Sequence, residues 1–373
     1  MGYAMVGKDE ALKGQQLTAL RAQMRERDLD ALLITHPSNR FYLSGYTATD
    51  IAPNESAGCL LLSPDNAYLI TSGTNENQAR AQATAFEVVR RGGKLPETLK
   101  PLLERHGVRR LGFEEEATHV SLYLGLGEAL GDTVALVPVG ELVSELRLIK
   151  TAEELAAIKR AVAITDAAYE AVMATMHPAQ TEREVAWALE RAMRERGAEA
   201  LAFPVIVAAG ANGAFAHHEP DDTPLGEGLP ITIDMGAQVD GYAADLTRTV
   251  ILGEPTEQAR AVYRTLERAV AIVEENLRPG MTGAEVDALA RDVITAAGFG
   301  DYFGHGLGHG VGVRVHEAPS AAKGIETRLT VGATLTIEPG IYIPGWGGAR
   351  IEDLIVIEEE GARVLSRASK QQV

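Results

Sequence analysis

The chain has 373 residues, of which 52 are acidic and 35 basic, for a formal net charge of −17. Such an acidic balance argues against nucleic acid or an anionic membrane as partner, because phosphate binding needs a basic face, and no apolar run approaches the roughly 20 residues of a membrane span. An apolar share of 46% and a charged share of 23% are ordinary for a globular chain, and the length suits two domains.

The first residues, MGYAMVGKDE, hold no apolar stretch long enough for a leader peptide, and Val6 stands where an acylation signal needs Ser or Thr. Leu17, Leu20 and Met24 recur at helical spacing, and ALLIT (31–35) reads as a buried strand. GCLLLS (58–63) and AYLIT (67–71) predict a hairpin around Pro64 and Asp65. Cys59, the single cysteine, falls inside that strand pattern and reads as a core thiol. With no disulfide available, the chain reads as a reduced, cytoplasmic enzyme. LGF (111–113) and ALVPV (135–139) are further strands, with helices near 74–83, 95–105 and 119–129. This is an α/β domain with a mixed sheet and no glycine-rich phosphate loop.

Thr151 and Glu154 form a capping box that opens a long helix with Leu155, Ile158, Val162, Tyr169 and Val172 on one face. The domain boundary is placed just before it, giving domains 1–148 and 149–373. A second capping box, Thr181 to Glu184, starts the next helix, and 204–230 reads as a long connection carrying His217 and His218. Helices near 256–277 and 283–297 repeat the pair.

The second domain repeats itself at a spacing of about one hundred residues. PAQTxxEV from Pro178 matches PGMTxxEV from Pro279, and ITIDMG (231–236) matches LTIEPG (335–340). Asp245 and Glu352 are expected at corresponding places in the next strand of each half. A pseudo-twofold seam would then gather Asp234, Asp245, Glu338 and Glu352, with His309 breaking the symmetry. Four buried carboxylates need cations, and two ions bridged by shared carboxylates use them better than one. The chain therefore reads as a dinuclear metallohydrolase.

HGLGHGVG (305–312) has glycine at every second position, which argues against helix and for an extended segment that another backbone approaches closely. His305 and His309 would share one face of it. His316 stands seven residues after His309, so a bend or bulge must intervene if both reach the site. His217 would join His316 as a donor to a substrate oxyanion, whereas His218 reads as structural. Arg350 shares a strand face with Glu352 and would brace a ligating carboxylate.

These segments together resemble the pita-bread metallopeptidases, specifically the proline-specific branch of prolidases and aminopeptidases P. The resemblance covers roughly residues 151–362 and rests on the Asp234–Asp245 spacing, the HGLGH…VHE run, the EPG and the RIED. The first 150 or so residues look like the smaller creatinase-type N-terminal domain. The implied fold is an α/β creatinase-type domain followed by an α+β pita-bread domain with an internal pseudo-twofold repeat. The resemblance implies Asp234, Asp245, His309, Glu338 and Glu352 as ligands of two divalent metal ions. It puts His217, His305, His316 and Tyr342 in the substrate site, Arg350 behind a ligand, and a proton shuttle on Glu338. Oxygen-rich ligation with one imidazole favours manganese, with cobalt or zinc as substitutes. The implied substrate is a small peptide with proline second, and a homodimer is the family default.

Two features depart from the pattern. Arg314 stands where GLEVHE-type segments carry an acid, and its parity with His316 makes it a candidate clamp for a substrate carboxylate. Ser320 stands where some dipeptidases place an arginine, so dipeptidase and aminopeptidase stay open. Loop 36–56, with Arg40 and two tyrosines, is a candidate for limiting the cleft. A methionine aminopeptidase would lack the N-terminal domain, a creatinase-like hydrolase would lack several ligands, and a binding-only relative would have a degraded ligand set. A relative acting on another small molecule keeps the fold and stands as the alternative.

Overall fold

A computed structural model of the chain describes residues 9–50, 52 and 55–373. The first eight residues, read above as neither leader nor acylation signal, lie outside the described residues, as do positions 51, 53 and 54 of loop 36–56. The chain divides into two compact units, residues 1–146 and 147–373.

The first unit comprises α1 (Asp9–Glu26), β1 (Ala31–Ile34), α2 (Pro37–Ser44), β2 (Cys59–Leu62), β3 (Ala67–Thr71), α3 (Glu76–Gln82), β4 (Glu87–Arg90), α4 (Leu95–Arg105), β5 (Arg110–Phe113), α5 (Val120–Leu130) and β6 (Ala135–Pro138). The sheet order is β4-β3-β2-β1-β5-β6, with β1, β2 and β3 antiparallel and the outer pairings parallel, a mixed sheet as expected. Leu33, Leu61, Ile70, Leu99, Leu103 and Leu111 form its core. Cys59 is buried among them, and burial pushes its thiol up to about 12, which keeps it protonated and inert. The start of loop 36–56 is a helix, α2, rather than a loop. Arg40 on it is fully buried and donates to the carbonyls of Gly58 (2.6 Å) and Ala48 (2.8 Å) and to Asp50 (2.8 Å). Its charge is committed inside the unit.

After α6 (Leu142–Leu148), the second unit is built from two similar halves. The first has α7 (Ala152–Met173), α8 (Glu182–Glu195), β7 (Ala200–Leu201), β8 (Ile206–Ala209), β9 (Pro230–Met235), β10 (Ala237–Val239), β11 (Tyr242–Ala243) and β12 (Leu246–Ile251). The second has α9 (Glu257–Asn276), α10 (Gly283–Ala296), β13 (Gly308–Gly310), β14 (Glu317–Ala321), β15 (Thr334–Ile337), β16 (Gly340–Ile343), β17 (Gly347–Arg350), β18 (Asp353–Glu358) and β19 (Gly361–Val364). The capping boxes at Thr151, Thr181 and Thr282 all form, each with side chain and backbone bonds in both directions. Thr181 and Thr282 also make equivalent isolated bridges, to Pro224 and Arg328. Each half has its own core: Tyr169, Val185, Leu189, Ile231 and Ile233 in the first, Tyr263, Leu266, Val286, Ile337 and Ile355 in the second. The expected long connection 204–230 is not continuous, because β8 pairs antiparallel with β9. Its flanking prolines and glycines mask a four-residue buried strand. Among the described residues no helix is long and apolar enough to cross a membrane.

Candidate metal centre

Two long hairpins carry the acidic side chains. In the first, β9 pairs with β12 so that Asp234 lies opposite Thr247, and the ladder runs on through the Ala244 to Ala237 backbone bond. In the second, β15 pairs with β18 and β16 with β17 in one register, Ile337 opposite Asp353 and Gly340 opposite Arg350, which sets Glu338 opposite Glu352. This corrects the expected pairing of the halves. The counterpart of Glu352 is Thr247, and Asp245 occupies the place that Arg350 takes in the second half. Thr247 follows Asp234 by thirteen residues and Glu352 follows Glu338 by fourteen, so spacing alone hides the register.

The equivalent positions then meet across the seam. Arg350 donates to Asp234 Oδ2 (2.6 Å), to Thr247 Oγ1 (3.0 Å) and to the Tyr342 hydroxyl (2.7 Å). Thr247 donates in turn to Glu352 Oε2 (2.9 Å). Behind them Arg248 pairs with Asp353 (2.8 Å) and holds the Glu352 carbonyl. Thr247, buried and linking both halves, was not singled out from sequence; its shared strand face with Asp245 was the available signal.

Asp234, Asp245 and Glu352 are buried, and one carboxylate oxygen of each comes within 4.8 Å of the others. Among the described residues, Asp234 Oδ1 and Glu352 Oε1 are buried without a hydrogen-bond partner. His309 Nε2 lies 3.0 Å from Glu338 Oε1 and 3.7 Å from Asp245 Oδ2, so it closes the group. Burial first, and then the neighbouring carboxylates, raises Asp245 and Glu352 well above the usual carboxylate range. Asp234 is raised by burial, against the pull of Arg350. Glu338 resists the same burial: the hydrogen bond and charge of His309, then Arg350 and His305, bring it down to about 2. Burial opposes charge on His309, but its hydrogen bond to Glu338 raises it. Burial therefore pushes Asp234, Asp245 and Glu352 towards their protonated forms unless cations replace the protons, while Glu338 stays ionised. Orphaned buried oxygens, four carboxylates and one imidazole form a donor set that fits hard divalent ions.

The glycine run behaves as its spacing predicts. A Cβ on Gly308 would strike the Thr336 carbonyl and one on Gly310 the Ala318 carbonyl. β13 lies against β14 with a bulge between His309 and Gly310, the irregularity that His316 required. His309 and His316 meet edge to face at 4.3 Å. His309 Nδ1 lies 3.1 Å from the Gly310 carbonyl, which directs Nε2 at the carboxylates. His305 is held below its usual range by burial, with Nδ1 on the Gly306 carbonyl (2.6 Å) and Nε2 at the Tyr342 hydroxyl (3.1 Å). Burial raises Tyr342, so its phenol stays protonated.

His316 and His217 are exposed. Burial and then the charge of His309, with smaller contributions from Arg314 and His217, lower His316. Arg314 is exposed beside it. His218 turns inward to Glu182 (2.7 Å), as its structural reading expects. Asp287 and Arg291, an i,i+4 pair on α10, were missed from sequence. Arg291 donates to the carbonyls of Phe303 (2.9 Å) and His305 (2.8 Å), and Asp287 accepts from Leu307 (3.1 Å), fixing the start of the glycine segment.

Comparison with known proteins agrees with this geometry. Metallopeptidase family M24 matches residues 156–359, and the Creatinase/Prolidase N-terminal domain matches residues 16–149. The chain is 40% identical to an uncharacterized peptidase, YqhT, of Bacillus subtilis over 356 residues, 95% of this chain and 99% of that one. It is similar to the structure of an Xaa-Pro dipeptidase from Bacillus anthracis, with a TM-score of 0.90, 36% identity and coverage of 97% and 99%. An X-Pro aminopeptidase structure from Thermotoga maritima gives 0.88, 31% identity and coverage of 95% and 98%.

Proposed function

The chain belongs to metallopeptidase family M24, with a creatinase/prolidase N-terminal domain ahead of the catalytic one, and on that premise we propose that it hydrolyses the bond between an N-terminal residue and proline in dipeptides or short peptides. The carrying observation is the cluster of Asp234, Asp245 and Glu352 with two orphaned buried oxygens, closed by His309 and Glu338. We assign these five side chains as ligands of two divalent ions, manganese first, with cobalt or zinc as substitutes. Bound there, the ions would lower the pKa of water and polarise the scissile carbonyl. The catalytic domain is taken as 149–373, with 1–148 as the N-terminal domain.

The protein's own groups then have distinct tasks. Glu338 is the acid held ionised and the one beside the imidazole, which suits it to carry a proton from the nucleophile to the leaving imide nitrogen. His217 and His316 donate to the carbonyl oxygen as it becomes anionic. Pushed towards its neutral form, His316 keeps one N–H to donate and adds no positive charge beside the ions. The free substrate amine pairs with Asp234 or Asp245. His305, Tyr342 and Arg350 form a continuous chain behind the site, which fixes both the substrate wall and Asp234. An Xaa-Pro bond lacks the amide N–H that ordinary peptidases hold, so shape and the carbonyl contacts carry recognition. Arg314, exposed beside His316, is assigned to the carboxylate of a dipeptide, which favours dipeptidase over aminopeptidase action.

Hydrolysis of Met-Pro beside Met-Pro-Gly, by metal-stripped protein with and without added manganese, tests the reading. Metal-dependent cleavage of the dipeptide is expected. Preference for the tripeptide would make it an aminopeptidase, and cleavage of neither with metal bound would overturn the proline assignment in favour of another small-molecule substrate. A homodimer rests on the family resemblance and is checked by sedimentation; a cytoplasmic location rests on the single buried cysteine and is checked by cell fractionation.

A further inference from the structure

His217 and His316 sit on exposed segments, where a side chain and its loop keep their freedom unless the backbone is fixed. Each is followed by a residue that faces inward. After His217 comes His218, its side chain 13% exposed and its Nε2 2.7 Å from Glu182 Oε2. After His316 comes Glu317, 7% exposed, with Oε1 2.8 Å from Lys150 Nζ and Oε2 on Arg147.

Glu182 is the first residue of α8 and is fully buried. Its Oε1 accepts from the Ala209 N–H (2.7 Å) and Asn212 Nδ2 (3.0 Å), and its Oε2 from His218 (2.7 Å) and the Asp221 N–H (3.1 Å). One carboxylate thus gathers both ends and the middle of segment 209–221. Its four acceptor positions are filled. Although Glu182, His218 and Asp221 come close enough to hold a cation, Glu182 has no oxygen left to offer one. The repeat places Gly283 at the equivalent position, where any Cβ would strike the Ser320 carbonyl. The second half therefore cannot use the same device.

It uses Glu317 instead. Besides Lys150 and Arg147, this carboxylate accepts from the Arg314 N–H (3.3 Å), and a Cβ on Gly312 would collide with it. It closes the turn between His309 and His316 from inside. Burying a carboxylate with two cations adds little stability over an apolar packing of the same volume. What it supplies is a fixed geometry.

We propose that Glu182, through His218, and Glu317, through Arg147 and Lys150, are positioning residues that aim His217 and His316 at the substrate carbonyl. This rests on the reading of those two histidines as carbonyl-oxygen donors. Neither anchor touches substrate, and each acts only through its histidine.

Double-mutant cycles on the manganese-loaded full chain, with Met-Pro as substrate, test it. His217→Ala and Glu182→Gln should each lower kcat about ten- to a hundredfold, with KM changed less than about threefold. The double variant should be no slower than His217→Ala alone. His218→Gln, whose amide can still donate to Glu182, should keep the rate, whereas His218→Leu should match Glu182→Gln. The pair His316→Ala and Glu317→Gln should behave in the same way; where Glu317→Gln fails to fold, Lys150→Met takes its place. Losses that multiply in the doubles would overturn the proposal, because they would make the anchors general structural supports. A slow His217→Ala beside a normal Glu182→Gln would remove the anchor alone. Normal His217→Ala and His316→Ala would remove the donor reading and the anchors with it.

Discussion

The two hairpins of the catalytic unit have the same ladder and different chemistry. Asp234, Thr247 and Asp245 on the first stand where Glu338, Glu352 and Arg350 stand on the second. Only the first pair conserves its type. At the second position a hydroxyl faces a carboxylate, and the two hydrogen-bond each other. At the third, an acid on one side faces a guanidinium on the other. The repeated backbone supplies the places, and two changes of type between the halves leave Asp234 and Asp245 on a hairpin with no cation at these places and put Arg350 on the other. Asp234 has Arg350, whereas among the described residues Asp245 has no protein cation nearer than His309 at 3.7 Å.

That difference ranks the residues. Asp245→Asn removes the acid that only a bound cation can compensate, and kcat should fall about a thousandfold or more, the several kcal/mol that metal ligation contributes. Its metal-stripped form should melt no lower than the parent. Equal damage from Asp245→Asn with and without metal would break the comparison. Arg350→Gln should cost about ten- to a hundredfold in kcat/KM, as removal of a ligand's partner does. Arg350→Lys should rescue little of it, because one ammonium cannot reach Asp234, Thr247 and Tyr342 together. Full rescue by lysine would mean that charge alone matters on that side.

Much of this was legible beforehand. The ligand-type residues interrupt apolar strands at repeated places, the Thr-x-x-Glu boxes mark helix starts, and the glycine run announces a crowded backbone that the structure confirms. The bulge after His309 followed from strand parity. Register was not legible, because it depends on turn length, and the observed ladders put Asp245 at the place of Arg350, two residues from that of Glu352. β4 was missed because charged residues flank its two valines and only Val88 is buried, and β8 because prolines and glycines flank it. The burial of Arg40 was not legible, because a buried arginine and an exposed one look alike in sequence. Only the acceptors around it, the Gly58 and Ala48 carbonyls and Asp50, tell them apart.

Stability against pH sharpens the same contrast. Burial and mutual repulsion raise Asp234, Asp245 and Glu352. Groups raised in the fold stabilise it below the ordinary carboxylate range near pH 4, and that contribution is lost as pH rises through their folded values. Glu338, lowered to about 2, works in the opposite sense. Its contribution is present above the ordinary range and is lost only as pH falls toward 2, so it is constant between pH 5 and 8. The metal-stripped protein should therefore lose several degrees of melting temperature from pH 5 to pH 8, with the manganese-loaded protein largely level. Calorimetry of manganese binding in buffers of different ionisation enthalpy should show protons released. A level metal-stripped profile with no proton release would mean that the carboxylates are already ionised without cations.

The smallest effect is expected at Thr247, and it tests whether the halves are coupled or merely adjacent. The hydroxyl accepts from Arg350 Nε and donates to Glu352 Oε2, so a residue of the first hairpin ties the counter-charge of the second to one of the second hairpin's ligands. Thr247→Val keeps the shape and leaves two buried charged groups one partner short, a cost of about 1–3 kcal/mol. Where about 1.4 kcal/mol of it is felt at the site, kcat/KM or manganese affinity falls about tenfold, and Thr247→Ser should restore it. With Arg350→Gln already present, half of the relay is gone, and Thr247→Val should cost less than in the parent. If the two losses multiply in full, Thr247 serves Glu352 alone, and the seam is two independent hairpins meeting at a metal rather than one hydrogen-bonded frame.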